Sequence, residues 1–457
     1  MKNVNLVYGV KDKPGFGKTL VFALQQLLAI LAATIAVPAI IGNGMSQSAA
    51  LFGAGVGTII YLLFTKFKSP VFLGSSFAFL PSMGAAFSGA ISVSVGYLGL
   101  IIGAIMAGLV YVIIAIVVKF VGVKWIEKLM PASIIGPTVA IIGLSLSTNA
   151  VGDAVSGAVY DSVNGAWIMN TSSVISLICA LVTLLTVIIC SVYGKKMIKM
   201  IPFIIGILAG YLVATIFTVI GSLAGIPELI VIDFSIFKTM QWVPQFTFIE
   251  AFKGFENLGD FGAYLIALVA AYIPVAFVVF AEHLADHKNI SSIIGSDLTK
   301  DPGLHRTLLG DGIGSMAGAL FGGCPNTTYG ESVGCVAISG NASVVTTITT
   351  AIICIVIAFF APFVTFLDSI PNCVMGGVCI SLYGFIAVSG LKMIQKVDLN
   401  ENRNLFTVST ILISGVGGMS LTFGIIPLKA VACSLILGII VNAITARSAK
   451  KKEEKQD

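Results

Sequence analysis

Charged residues are scarce in this chain. Only 10% of its 457 residues are Asp, Glu, Lys or Arg, whereas 57% are apolar and the mean hydropathy is +1.02. A soluble globular domain carries about a quarter charged residues, so this chain cannot cover a water-facing surface. The composition therefore excludes soluble, disordered and collagen-like proteins and favours a protein with many membrane spans.

Motifs of metal, redox and energy chemistry are also missing. The eight cysteines have irregular spacing and no CxxC pair, which argues against zinc ribbons and redox motifs. His283 and His287 have helical spacing but lack the glutamate of a HExxH motif, and no nucleophile–base pair stands out. No ATP-binding loop occurs. We therefore predict no metal, no cofactor and no enzymatic activity, and any transport must use an ion gradient.

Long apolar segments are abundant. A helix needs about 20 apolar residues to cross the bilayer core. Two of the segments, 70–86 and 325–339, are short and are interrupted by Gly, Pro, Ser and Thr. The segments are 18–41, 48–65, 70–86, 93–118, 129–148, 173–193, 200–223, 262–284, 305–321, 325–339, 343–367, 374–391, 404–422 and 428–446. We predict an all-α membrane protein with fourteen transmembrane segments, the first of them retained rather than cleaved.

The basic residues predict the orientation of these segments. With a cytoplasmic N-terminus, 23 of the 26 Lys and Arg residues fall on the cytoplasmic side, and only Lys238, Lys253 and Lys429 fall outside. Basic residues concentrate in cytoplasmic loops, so both termini are predicted to be cytoplasmic. The net charge of +5 then reflects topology, and nucleic-acid binding is not expected.

A repeat is visible in the sequence. Pro131 and Gly136 recur as Pro371 and Gly376, 240 residues later, and the two interrupted segments have a similar offset. Two halves of seven spans must have opposite orientations because seven is odd. This is the 7+7 inverted repeat of secondary transporters, in which paired broken segments mark the binding site. Each broken segment is predicted to be an extended strand followed by a half-helix.

Four acidic residues lie in or beside apolar segments of the second half: Glu282, Asp286, Asp311 and Glu331. Ionisable groups at membrane depth are costly and usually serve proton or substrate pathways. A structural role is an equally open alternative for two of them. Asp286 could be a charge at a helix end, and Asp311 could make a buried structural hydrogen bond. Glu331 stands where the second half-helix should begin, and the free N–H groups there could receive ligand oxygens. Phe77 begins the first half-helix and could supply an aromatic wall.

At these residues the chain resembles the nucleobase–ascorbate transporter family. The PNTTYGE run is the most specific of the matching stretches, which are spread along the chain in the family's order. They are Leu24-Gln25 to Pro38, Leu73 to Phe79, Ala281-Glu282-His283, Asp301 to Arg306, Pro325 to Glu331 and Val374 to Val378.

This resemblance implies proton-coupled import of uracil across the cytoplasmic membrane, which we expect to be bacterial, by an elevator-like movement, often in a dimer. It implies a core domain that moves against a gate domain. The core comprises 1–121 (spans 1–4) and 261–367 (spans 8–11), the gate comprises 122–260 (spans 5–7) and 368–447 (spans 12–14), and a charged cytoplasmic tail covers 448–457.

The resemblance also implies the roles of site residues. Glu282 and Glu331 should bind the base through its N–H groups, and the backbone near Phe77 and Gly330 should meet its carbonyls. Phe77 and Tyr329 should line the pocket, with Ala33 and Tyr383 nearby. The implied proton-coupling groups are Glu282, Asp286, Asp311 and Glu331.

The chain departs from the family at several positions. Gln26 stands where many relatives have His, Ser332 where Asn is usual, and Ser339-Gly340 where a Thr-Arg or Thr-Lys pair is usual. Glu331 favours uracil, because purine and ascorbate relatives usually carry Gln there, whereas Asp311 matches the purine branch. A xanthine or other purine transporter is therefore one alternative, and an anion transporter with the same 7+7 plan is another.

Overall fold

The computed structural model describes residues 6–195, 197–423 and 426–453, which are predominantly helical. The elements of the first half are α1 (Phe16–Ile41), α2 (Gln47–Phe64), β1 (Leu73–Ser75), α3 (Leu80–Ser88), α4 (Val93–Val121), α5 (Lys124–Leu129), α6 (Ala132–Ser145), α7 (Ser147–Ala154), β2 (Val159–Asp161), β3 (Ala166–Ile168), α8 (Thr171–Tyr193), α9 (Met197–Met200), α10 (Pro202–Ala224) and α11 (Thr247–Lys253). Those of the second half are α12 (Phe261–Ile294), α13 (Leu304–Gly322), β4 (Asn326–Thr328), α14 (Gly330–Ser339), α15 (Val344–Ile357), α16 (Ala361–Asp368), α17 (Asn372–Ile394), α18 (Asn402–Val416), β5 (Leu421–Phe423), β6 (Ile426–Leu428) and α19 (Ala430–Glu453).

Local signals set the ends of several long helices. The side chains of Ser46 and Ser92 accept backbone N–H groups at the starts of α2 and α4, and Asp260 does the same for α12. Such caps satisfy N–H groups that have no partner within the helix. Gly295 ends α12 in the left-handed conformation (φ +66°), which glycine adopts without steric cost.

The order of elements occurs twice. Each series has two helices, then a strand with a short helix, then a further helix. The first series is α1, α2, β1–α3 and α4, and the second is α12, α13, β4–α14 and α15. The predicted strand-plus-half-helix form of both broken segments is confirmed, since a 3₁₀ turn at Phe77–Phe79 joins β1 to α3 and Tyr329 joins β4 to α14.

Within the described ranges, eight helices are long and apolar enough to cross a membrane, or nine if the bent pair α15–α16 is one span. The fourteen-span count stays a prediction, because several other segments are shorter or more polar. Phe77–Ser88 and Ala430–Ala446 are apolar but short.

Some predicted boundaries were wrong. The segment predicted to end at 284 continues as α12 to Ile294, because polar residues on the later turns do not interrupt a helix. The segment 343–367 is two helices bent by 84°. The segment 404–422 ends as a helix at Val416 and is followed by the β5–β6 hairpin. The charged tail begins within α19, and its residues 454–457 lie outside the described ranges.

The helices pack in two groups. In the first group α2 packs against α1, α13 and α15, α4 packs against α3, α11, α12 and α13, and α14 packs against α12. In the second group α17 packs against α6, α7 and α8, while α8 packs against α10 and α18 packs against α6 and α19. Contacts between the groups are fewer and join α1 to α10 and α17, and α12 to α6 and α19.

Glycines allow the closest helix contacts in the first group. A Cβ atom on Gly53 would lie 2.6 Å from the carbonyl oxygen of Gly318, and one on Gly57 would lie 2.8 Å from that of Gly314. Backbones can approach this closely only where a side chain is absent. The Gly53/Gly57 pair is therefore a packing ridge between α2 and α13.

Candidate functional site

The two broken segments pair with each other. β1 and β4 form an antiparallel ribbon with the register Leu73 to Thr328, Gly74 to Thr327 and Ser75 to Asn326. The Ser76 N–H donates to the Pro325 carbonyl (2.9 Å) and the Tyr329 N–H donates to the Phe72 carbonyl (3.1 Å), which extends the ribbon at both ends. These bonds satisfy irregular backbone that is buried within the protein.

A half-helix begins at each end of the ribbon. The residues before the two helices, Ser76 and Tyr329, give no side-chain cap to the first turn. The first N–H groups of a helix have no intrahelical partner and carry partial positive charge. The two uncapped helix starts therefore lie at opposite ends of the ribbon, one beyond the Ser76–Pro325 bond and the other beyond the Tyr329–Phe72 bond.

Acidic side chains gather at one end of this ribbon. Glu331 stands in the first turn of α14, and Glu282 and Asp286 lie one turn apart on α12. Glu282 interacts electrostatically with Glu331 and Asp311. Asp286 accepts a hydrogen bond from the Thr328 hydroxyl (3.1 Å), and a Cβ atom on Gly330 would lie 3.7 Å from an oxygen of Asp286. The fold thus brings three predicted acids to the start of α14.

Asp311 lies behind the ribbon, almost fully buried. Its Oδ2 atom is 2.6 Å from Nδ1 of His283 and accepts a longer bond, 3.4 Å, from the Thr327 hydroxyl. The other ring nitrogen of His283 is 3.0 Å from the Thr307 hydroxyl. Sequence reasoning gave His283 no role of its own, because its partner stands 28 residues away on α13.

The predicted aromatic residues also meet near the ribbon. The Phe77 ring packs edge-on against the Tyr383 ring of α17, with 5.5 Å between their centroids, so this contact joins the two packing groups. The Tyr329 hydroxyl donates to the Ser75 carbonyl (2.8 Å), which fixes its ring beside Gly74. Ala33 is buried on α1, which packs against β1, α14 and α17.

The buried hydroxyl of Ser332 connects four elements of the structure. In the sequence, Ser332 stands out only as a departure from the family pattern. The Ser332 oxygen accepts hydrogen bonds from the Phe72 N–H (3.0 Å) and from Nε2 of Gln26 on α1 (3.1 Å). The amide oxygen of Gln26 in turn accepts from Thr350 on α15 (3.0 Å). Ser332 therefore ties the residue after Glu331 to the first broken segment. Serine is common in apolar helices, so no pattern distinguishes it.

The chain matches known permeases along most of its length. The sequence model of the Permease family matches residues 17–423. The chain belongs to this family. It is 37% identical to the uracil permease of Bacillus caldolyticus over 96% of this chain and 94% of that protein. It is 36% identical to the uracil permease of Bacillus subtilis over 100% of this chain and 98% of that protein.

The solved structures share the fold. The transmembrane domain of the cyanobacterial bicarbonate transporter BicA matches with a TM-score of 0.62 at 15% identity, over 93% of this chain and 96% of that one. This likeness shows a predominantly helical, multi-span transporter fold of the 7+7 type. The Permease family relatives are transporters rather than enzymes, and this chain is an integral, multi-pass membrane protein.

Proposed function

We propose that this permease imports uracil across the cytoplasmic membrane and couples the import to protons. The observation that carries the proposal is the closeness of Glu282 to Glu331 at the uncapped start of α14, on a ribbon whose other end leads into a second uncapped helix start. Uracil has two N–H groups and two carbonyl oxygens on one planar ring, and this site offers acceptors for the first and donors for the second. The full-length similarity to uracil permeases supports the same ligand.

In this proposal each site residue has a definite role. Glu282 and Glu331 accept the N–H groups of the base, and the first N–H groups of the half-helices at Phe77 and Gly330 donate to its carbonyls. Phe77 and Tyr329 cover the faces of the ring, and Ala33 and Tyr383 close the pocket from α1 and α17. Aromatic faces suit a planar ligand because offset stacking adds to apolar burial.

Protons couple to uracil through the same acids. A carboxylate within the membrane is stabilised by a proton or by ligand N–H groups, so ligand and proton occupancy are linked. Glu282 and Glu331 contact uracil, while Asp286 and Asp311 stand close enough to interact electrostatically with Glu282. We assign Asp286 and Asp311 to proton exchange because neither needs to contact the ligand.

Transport proceeds by an elevator-like movement of the core domain against the gate domain. The two packing groups support this division, because they contact each other less than they contact their own members, except at α11, which belongs to the gate range but packs against α4 and α13 of the core. The core is 1–121 with 261–367 and the gate is 122–260 with 368–447, which together make fourteen spans with both termini cytoplasmic. A homodimer is the assembly that the family resemblance implies for this movement.

Two alternatives have specific support. A purine transporter is favoured by Asp311, the acidic residue that matches the purine branch and that lies behind β4 through its bond with Thr327. An anion transporter is favoured by the fold likeness to a bicarbonate transporter. Two carboxylates beside an anion would repel it, so Glu282 and Glu331 argue against the second alternative.

Uptake into proteoliposomes tests the proposal. Radiolabelled uracil should enter faster under an imposed inward proton gradient, and cold uracil should compete where xanthine, hypoxanthine and bicarbonate do not. Folded, inserted protein with no gradient-stimulated uracil uptake would contradict the proposal. Competition by xanthine would favour the purine alternative, and bicarbonate uptake would favour the anion alternative.

A further inference from the structure

The segment before α1 is docked onto the half-helix that carries Glu331. We name residues 6–12 the N-terminal arm. The N–H groups of Val7 (2.7 Å) and Tyr8 (3.1 Å) both donate to the carbonyl oxygen of Gly340, the residue that ends α14. Tyr8 also pairs with Asn341 as a parallel bridge.

The arm continues along the linker between α14 and α15. The Tyr8 carbonyl accepts from the Ala342 N–H (2.9 Å) and the Val10 carbonyl accepts from the Val344 N–H (3.1 Å). The Ser343 hydroxyl donates to the Asp12 carbonyl (2.6 Å). The linker residues 341–343 are buried as a result, although they form a loop. Loops usually lie exposed, so the burial of this linker depends on the arm that covers it.

Apolar side chains add to these bonds. Leu6 and Val10 pack against a buried cluster that contains Val333 and Val336 of α14 and Leu73 of β1. The arm is also tied to α1, since Lys18 donates to the Tyr8 hydroxyl (3.2 Å) and the Tyr8 ring packs on Phe22. The arm therefore contacts α14, the linker, α1 and the neighbourhood of the ribbon at once.

Half-helix α14 depends on such contacts. It has only ten residues, and an isolated helix of that length is not stable. Its first turn is uncapped, and it ends at Gly340 in the left-handed conformation (φ +66°), where a side chain would be strained. The bonds from the arm to Gly340 hold the end of α14 opposite to Glu331.

We propose that the N-terminal arm is a positioning segment of the transport site, which fixes the far end of α14 and so holds Glu331 and the first N–H groups of that helix in the geometry that binds substrate. No residue of the arm contacts the ligand. The proposal rests on the proposed function for the identity of the ligand, but the restraint on α14 can be measured without it.

The test compares full-length variants. Val7→Pro with Tyr8→Pro removes both N–H groups that donate to Gly340 and keeps the length of the arm. Ser343→Ala is a milder variant that removes only the bond to Asp12. Lys11→Ala with Lys13→Ala is the matched control, because it changes exposed charges in the arm and just after it and leaves the backbone bonds in place.

Uracil binding to detergent-purified protein and amide hydrogen exchange in α14 are the two measurements. The double proline variant should weaken binding by about 3- to 10-fold and speed exchange in α14, and Ser343→Ala should shift both in the same direction by less. The control should match the wild type. A synthetic peptide of residues 6–14 should restore part of the affinity.

Three outcomes would overturn the proposal. One is unchanged uracil affinity and unchanged α14 exchange in the double proline variant. Another is a lower unfolding temperature with wild-type affinity, which would mean a merely structural role. The third outcome applies if the double proline variant does not fold. It is a Ser343→Ala variant whose uracil affinity and α14 hydrogen exchange equal those of the wild type. If the wild type binds no uracil, the proposed function fails, while the exchange measurement still tests the restraint.

Discussion

Single residues in the first turn of α14 carry much of the proposed chemistry. Glu331 supplies a charge, Gly330 leaves space beside Asp286, and Ser332 bonds to the first broken segment. Three consecutive residues thus have three separable roles, and substitutions can tell them apart.

Glu331→Gln should keep the fold but abolish high-affinity uracil uptake. The amide has the same shape, yet it cannot accept a charge-assisted hydrogen bond from the base. Loss of such a bond costs about 1.5–3 kcal/mol, or about 10- to 100-fold in affinity. Uptake kinetics in proteoliposomes measure this. Glu228→Gln, at an exposed site, is the control. Normal affinity and rate in Glu331→Gln would defeat the assignment of Glu331.

Ser332→Ala and Gln26→Leu should show coupled effects on stability. Ser332→Ala leaves the Phe72 N–H and the Gln26 amide without their buried acceptor, at a cost of about 1–3 kcal/mol. The double variant should cost less than the sum of the single ones, since each removes the partner of the other. Unfolding in detergent measures this, with exposed Ser88→Ala as control. Additive losses would show that the bond does not couple the two positions.

The sequence could predict which acids and aromatics make up the candidate site but not the hydrogen bonds that hold them in place. Glu282 and Glu331 stand out because charge is rare in apolar segments, and Phe77 because it follows Gly and Ser. Gln26 and Ser332 are ordinary polar residues 306 positions apart, and only the folded chain brings them into contact.

Among the elements, the broken segments were predictable and their pairing was not. Gly, Pro, Ser and Thr interrupt both apolar segments, which predicts strand and half-helix. The antiparallel register of β1 with β4 depends on helices that surround the ribbon, and no local pattern records it. The docking of the N-terminal arm was missed for the same reason, since a polar terminus carries no sign of its partner.

The ridge between α2 and α13 sets the position of the ribbon. The side-chain amide of Asn326, a residue of β4, donates to the Gly53 carbonyl (3.1 Å) and lies against Gly57 and Gly318. The small residues of α2 therefore do more than bring two helices together, because they make room for a side chain that anchors one strand.

Gly57→Ala should destabilise the protein although alanine is the better helix former. The new Cβ atom would lie 2.6 Å from the Asn326 amide nitrogen and 2.8 Å from the Gly314 carbonyl oxygen. Overpacking of this kind costs about 1–3 kcal/mol, which exceeds the helix propensity gain of about 1 kcal/mol. Gly17→Ala on α1 meets nothing within 4 Å and should be neutral or slightly stabilising. Thermal unfolding of both variants checks this, and equal midpoints would contradict the packing argument.

At the scale of the whole molecule, the repeat explains why one site serves two packing groups. The half-helices belong to the first group, while the Tyr383 ring reaches Phe77 from the second. A ligand between them would contact both groups, so a movement of one group past the other would carry the site with it.

A cavity at this boundary allows the movement to be tested. It has a volume of about 430 Å³ and is lined by Leu80, Pro81 and Gly84 from α3 and by residues of α6, α7 and α19. Gly84 and Asn149 face it from the two groups, and a Cβ atom on Gly84 would meet no other atom within 4 Å. All eight native cysteines are buried, so cysteines introduced here should react first.

Gly84→Cys with Asn149→Cys, joined by thiol cross-linkers of increasing length, should lose uracil uptake with short linkers and regain it with long ones or after cleavage. Uracil binding should persist throughout, because the ribbon and the acids are not altered. The single cysteine variants, treated alike, are the controls and should transport normally. If the short linker joins the groups and uptake is unchanged, the groups need not move relative to each other, and transport would have to depend on smaller movements around the half-helices.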